Sequence, residues 1–218
     1  MMILGLTGSI GMGKSETARM FRRAGVPVYD ADAAVHAVMA RGGDAVGPIE
    51  AAFPGVVRDG AVDRAALGAR VFDDPPALRR LEAIVHPIVA RRQLTFLKRA
   101  SAQRRPLVVL DIPLLLETGG EARCDAVAVV VAPPFVQAAR VLKRPGMTAK
   151  RLAAVRAQQM PDRHKCARAD FIIPTGLGKA EALRHVRAII NQMAGRSDGL
   201  WPDRFVWMAR KKNARNRS

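Results

Sequence analysis

Residues 5–17 read GLTGSIGMGKSET, and the reading of this stretch decides the fold. Gly8-Ser9-Ile10-Gly11-Met12-Gly13-Lys14-Ser15 fits G-x-x-x-x-G-K-[ST] without a gap. Glycines let the backbone turn so that successive N–H groups face one anionic centre. A helix opening near Lys14 adds the positive end of its dipole. Residues 1–7 form a short apolar run that reads as a buried strand. Ala18, Met20, Phe21 and Ala24 then recur at helical spacing until Gly25. Strand, glycine loop and helix are the context this motif requires. The expected nucleotide contacts are Gly8, Ile10, Gly11, Met12, Gly13, Lys14, Ser15 and Glu16. Lys14 reaches the β- and γ-phosphates, and the Ser15 hydroxyl ligates Mg²⁺.

The rest of the 218-residue chain continues the alternation. VPVYDAD (26–32) reads as a second strand ending in two carboxylates. PLVVLDIPLLLE (106–117) and DAVAVVVAPP (125–134) read as buried strands, and ADFIIPTG (169–176) as a fifth. Residues 179–194 form a closing amphipathic helix. Residues 33–104 are too long for a simple crossover and predict a helical insertion, with a long helix over 80–100 interrupted near Pro87. Residues 143–170 are polar, with Gly146 as a pivot. This order predicts an α/β fold built on a five-stranded parallel sheet, whose ligands bind at the carboxyl ends of the strands. Asp30, Asp32, Asp111 and Glu117 fall at such ends.

Composition narrows the function. Apolar residues make up 49% and aromatics 5%, so the core is Ala, Val, Leu and Ile. The net charge is +17, of which residues 196–218 supply +5. A basic surface serves a nucleotide as well as a nucleic acid, and no zinc-finger spacing, RNP-like motif or heptad zipper supports the latter. Nucleic acid is therefore disfavoured, although a nucleotide-dependent nucleic-acid binder using the tail remains the alternative of another class. Cys124 and Cys166 lie in no metal-binding spacing and read as incidental thiols of a reducing, cytoplasmic compartment. No apolar run reaches membrane-span length and no secretory signal is present, so no membrane association is expected. VAPP stands where a GTPase would carry N-K-x-D after the fourth strand. The small size favours phosphoryl transfer to a small acceptor, and a monomer is favoured.

Asp30 and Asp32 share a face if the segment is extended, and either could cap the following helix. An acceptor hydroxyl needs a carboxylate within reach to orient it and take its proton. The alternative is that both are helix caps or partners of arginines. GLTGSIGMGKS, GVPVYDAD, DGAVDRAALGARVF, LEAIVHPIV, LVVLDIPLLLETG and ARADFIIPTG follow in the order seen in dephospho-CoA kinases. Over residues 2–194 the chain resembles that family of small P-loop kinases. They transfer the γ-phosphate of ATP to the 3′-hydroxyl of the dephospho-CoA ribose, in the last step of coenzyme A synthesis.

The resemblance implies ATP and dephospho-CoA as partners and Mg²⁺ as cofactor, on a three-layer P-loop kinase fold. It makes Asp32 the catalytic base or hydroxyl orienter, beside Lys14. His86, which alone reads as a packed or capping histidine, belongs to an H-P pair that helps hold the acceptor. Asp111 keeps three roles: acting on Mg²⁺ through water, positioning the acceptor, or bracing Lys14. Leu115, within LLLETG, would line the acceptor pocket. The implied organisation is a nucleotide-binding core (1–32, 105–143 and 163–195), a helical acceptor region (33–104), a lid (144–162) and a basic tail (196–218). Arg140 and Arg144 are the candidates for phosphate contact, against the plainer reading of solvated helix faces. The chain departs from the family pattern at Glu16, Pro145 and Val155, and in IIPTG near the adenine site. Another small-molecule kinase, of shikimate, gluconate or a nucleotide, is the same-fold alternative.

Overall fold

The computed structural model describes residues 1–202. Its main sheet runs β2 (Val28–Asp30), β5 (Leu107–Asp111), β1 (Met2–Thr7), β6 (Ala126–Val131) and β7 (Phe171–Pro174) in spatial order. β1 is central and parallel to both neighbours, with Leu4 opposite Val109 on one side and Ala126 on the other. Runs of consecutive buried residues form these strands because both sheet faces are covered. Side chains alternate between the faces. Leu4, Leu6, Val109, Ala128 and Val130 join a core with Phe21 of α1 (Lys14–Arg23) and with Val186 and Met193 of α9 (Lys179–Ala194). Val127 and Val129 turn the other way, against Leu115 and Leu116. α8 (Asp162–Ala167) packs on β6, and α6 (Pro134–Leu142) packs against α7 (Ala149–Ala157).

The chain divides into two compact units. Among the described residues, 1–29 and 100–202 make the sheet unit, and residues 30–99 make the second. The second has its own core, in which Val38, Ile49, Phe53, Val62, Leu67, Val85 and Ile88 are buried together. It comprises α2 (Ala31–Met39), α3 (Val46–Ala52), the hairpin β3 (Val57–Arg58) with β4 (Ala61–Val62), α4 (Arg64–Val71) and most of α5 (Pro75–Ala102). Asp63 caps α4 by accepting from the N–H groups of Ala65 and Ala66 at 3.0 and 3.1 Å. Asp74 accepts from Ala77 N–H at 2.9 Å and caps α5 in the same way. Among the described residues no helix is long and apolar enough to cross a membrane.

Several expectations need correction. The second strand ends at Asp30 rather than Asp32. Asp30 has extended backbone and caps α2 by accepting from Ala33 N–H at 2.9 Å, so Asp32 lies in a helical first turn. The helix over 80–100 is not interrupted at Pro87, because α5 runs unbroken for 28 residues. Proline removes a single backbone hydrogen bond there, and the buried Val85 and Ile88 on either side hold the helix to its core. The β3–β4 hairpin was missed. It turns at Asp59-Gly60, both with positive φ (51° and 74°), the pairing typical of a two-residue turn. The tail is docked at its start, where Leu200 N–H donates to Asp125 at 2.5 Å and Gly199 packs on Met1 and Met2. The rest of the basic tail read over 196–218, from residue 203 on, lies outside the described residues.

Candidate active site

The loop from Gly8 to Ser15 joins the end of β1 to the start of α1. Gly11 and Gly13 have φ of 76° and 93°, a left-handed conformation that side chains rarely adopt. A Cβ on Gly11 would meet Val141 Cγ2 at 2.5 Å, and one on Gly13 would meet Thr175 Oγ1 at 3.0 Å. The loop amides divide into two sets. Ile10 N–H donates to Gln159 Oε1 at 3.1 Å, and Met12 N–H to Ser9 O at 3.2 Å. No hydrogen bond among the described residues uses the N–H groups of Gly11, Gly13, Lys14 or Ser15. These four donors, at the positive end of α1, form an anion nest.

Lys14 Nζ lies 2.6 Å from Asp111 Oδ1, at the end of β5. Asp111 is 2% exposed, so of its three suggested roles the bracing of Lys14 is visible in the geometry. The Ser15 side chain is exposed and has no hydrogen-bond partner among the described residues. The Glu16 carboxyl is lowered from its ordinary value, chiefly by its hydrogen bond from Arg19 and then by Lys179. It therefore stays ionised in the first turn of α1, where a negative charge suits the helix dipole. Glu16, Gly13, Thr17, Arg140, Thr175 and Lys179 are among the residues lining a cavity of about 310 Å³ beside the loop.

Arg140 lies on α6, outside the segment read as a lid. Its guanidinium donates to Thr175 Oγ1 at 2.9 Å and to Thr175 O at 2.7 Å. The solvated-face alternative therefore fails for Arg140. It fits Arg144, which is exposed and has no side-chain partner among the described residues. Leu115 corrects an expectation: it is fully buried among Leu116, Val127 and Val129, so it packs a core rather than lining a pocket. Leu114 is the exposed leucine of that run. In the second unit, Asp32 and His86 are both exposed and make no hydrogen bond or ion pair among the described residues. His86 is thus neither packed nor capping.

Sequence reasoning missed several polar residues of the sheet unit, some of them around the loop. Ser9 Oγ donates to Asp162 at 2.6 Å, and Gln159 takes the Ile10 amide. Gln137, 1% exposed, donates from Nε2 to Ile10 O at 2.8 Å. Lys165 is fully buried, with Nζ 2.7 Å from Glu117 Oε1, which also accepts from Met160 N–H at 3.0 Å. A polar residue on a buried helix face was the available signal for Gln137 and Lys165, but the partners lie too far away in sequence to be inferred. Ser9, Gln137, Arg156, Gln159 and Asp162 also line a cavity of about 450 Å³. Both thiols are held towards the protonated form: burial pushes Cys124 up to about 12, and burial with nearby Asp162 raises Cys166.

Burial alone would raise the Glu117 carboxyl, but its bonds from Lys165 and Met160 N–H hold it below its ordinary value of 4.5. A lowered carboxyl contributes stability that is present above the unfolded value and lost as pH falls through the folded one. Melting temperatures followed below pH 5 should therefore fall more steeply for the wild type than for a Glu117→Leu/Lys165→Met variant. Parallel curves would remove the pair from the acid response.

A parallel sheet with a phosphate loop after its central strand, a lysine at the loop's end and a separate helical unit defines a P-loop phosphotransferase for a small acceptor. The family model for dephospho-CoA kinase matches residues 2–179. A dephospho-CoA kinase of Paramagnetospirillum magneticum is 67% identical over 195 residues, covering 89% of this chain and 92% of the relative. A solved protein of Thermus thermophilus is 37% identical with a TM-score of 0.78, over 89% of this chain and 98% of that one. Dephospho-CoA kinase of Campylobacter jejuni, at 21% identity and TM-score 0.61, shares the fold over 88% of this chain and 96% of its own. The chain belongs to the dephospho-CoA kinase family. It transfers the γ-phosphate of ATP to the 3′-hydroxyl of the dephospho-CoA ribose, giving coenzyme A, the last step of that synthesis.

Proposed function

We propose that residues 8–15 hold the donor phosphates of ATP and that Asp32 takes the proton of the attacking 3′-hydroxyl. The observation that carries the donor half is the nest of unused N–H groups at Gly11, Gly13, Lys14 and Ser15. Lys14, kept in place by Asp111, adds a full positive charge to those dipoles. The exposed hydroxyl of Ser15 and the acid of Asp111 suit a hard cation that takes few protein oxygens. Among the described residues no cluster of three His, Cys, Asp or Glu offers an all-protein cage. Ser15, and Asp111 through water, would hold Mg²⁺, which when bound neutralises charge on the donor phosphates.

The acceptor half rests on an exposed carboxylate two residues past the end of β2, with His86 on the exposed face of α5. Residues 33–104 hold the acceptor, residues 1–32, 105–143 and 163–195 hold the nucleotide, and 144–162 close over the donor. In that closed form Arg144 contacts the transferred phosphate and water is kept out. The enzyme works in the cytoplasm as a monomer.

The test is an acceptor panel run with Mg·ATP. ADP should form rapidly with dephospho-CoA, and chelation of the metal should abolish it. Comparable turnover on shikimate, gluconate or a nucleoside monophosphate, or activity surviving chelation, would overturn these assignments.

A further inference from the structure

The carbonyl of one residue and the N–H of the next belong to one rigid peptide plane and point in opposite directions. Whatever grips a carbonyl of the loop from outside therefore aims the following N–H inward. Beside a longer contact from Arg140 to Gly11 O at 3.5 Å, two such grips precede N–H groups that no bond among the described residues uses. Gln137 Nε2 donates to Ile10 O at 2.8 Å, which turns the Gly11 N–H the other way. Thr175 Oγ1 donates to Met12 O at 2.6 Å, which does the same for the Gly13 N–H. Gly11 and Gly13 carry two of the four N–H groups that no bond among the described residues uses. Their glycine conformations leave the peptides on either side free to rotate, so the direction of these donors is not set by the loop alone.

Both grips are themselves fixed. Gln137 is 1% exposed on α6, and Thr175 is 8% exposed just past β7. Thr175 is further held by Arg140, which donates to both its hydroxyl and its carbonyl. The two side chains come from separate elements and reach the loop across 127 and 163 residues of sequence.

We propose that Gln137 and Thr175 are positioning residues for the phosphoryl donor, each locking one peptide plane of the loop so that its N–H faces the phosphates. Their action on the donor runs through the backbone of the loop. The proposal rests on the reading that residues 8–15 bind the donor phosphates, and it assigns the shape of that nest to side chains outside it.

The test compares Gln137→Leu, Thr175→Val and Thr175→Ser with wild type and with Lys14→Ala. Gln137→Leu and Thr175→Val are expected to raise the KM for ATP about tenfold each, the scale of one lost hydrogen bond. The KM for dephospho-CoA should stay at its wild-type value, and Thr175→Ser, which keeps the hydroxyl, should restore that for ATP. Melting temperatures and circular dichroism identify folded variants. Should Gln137→Leu fail to fold, the Thr175→Val and Thr175→Ser pair decides the matter by itself. An unchanged KM for ATP in folded Gln137→Leu or Thr175→Val, or no difference between Val and Ser at 175, overturns the proposal. Unchanged kinetics in Lys14→Ala would instead overturn the reading of the loop, and the proposal with it.

Discussion

Asp32→Asn is expected to lower turnover about 10²- to 10⁴-fold, the usual contribution of a positioned proton acceptor. The amide keeps the size and one hydrogen-bonding oxygen of the acid, so dephospho-CoA and ATP should bind with near-normal KM. What is lost is the capacity to take the 3′-hydroxyl proton as the bond to phosphorus forms. Asp32 is exposed and carries no hydrogen bond or ion pair among the described residues, so the fold does not depend on its charge. Asp30 provides the contrast. Its carboxylate caps α2, and Asn is as good a cap as Asp, so Asp30→Asn should leave turnover close to wild type. Steady-state kinetics on both variants, with melting temperatures, separates the two aspartates. Near-normal turnover in Asp32→Asn would remove it from the chemistry.

Lys165→Met is expected to cost about 3–5 kcal/mol of stability, the scale for breaking a buried ion pair from one side. For a chain of this size that is a fall of roughly 6–20 °C in melting temperature. Lys165 is fully buried, and its partner Glu117 would be left charged with only Met160 N–H for company. Glu117 Oε2 is buried with no hydrogen bond among the described residues, so losing Lys165 would leave the carboxylate poorly paired at both oxygens. Replacing both members, as Glu117→Leu/Lys165→Met, removes the stranded charge and should recover most of the loss. A double variant as unstable as Lys165→Met would show that packing, not charge, sets the penalty.

The parts of this molecule written in consecutive residues were legible from sequence. The glycine loop, the apolar strands and α9 follow from local chemistry and periodicity. The acceptor was legible by resemblance, through the D-A-D, H-P and DIPLLLE runs, because no periodicity names a substrate. What escaped was set by tertiary context. Pro87 looked like a break because proline is read locally, yet Val85 and Ile88 carry α5 through it. Asp59-Gly60 was a hairpin signal in plain view, passed over because its strands are two residues long. Leu115 looked like a pocket residue from its motif and proved to be core. Gln137, Thr175 and Lys165 could not be assigned, since their partners lie 127, 163 and 48 residues away.

Asp125 lies at the opposite end of the sheet from the phosphate loop, and its two oxygens tie distant parts of the chain together. One accepts from Ile3 N–H at 2.6 Å and the other from Leu200 N–H at 2.5 Å. Residue 200 is thereby stapled beside the first residues of β1, about 20 Å of strand away from where the loop begins. A surface anchor or affinity handle attached near residue 202 would face away from the nucleotide.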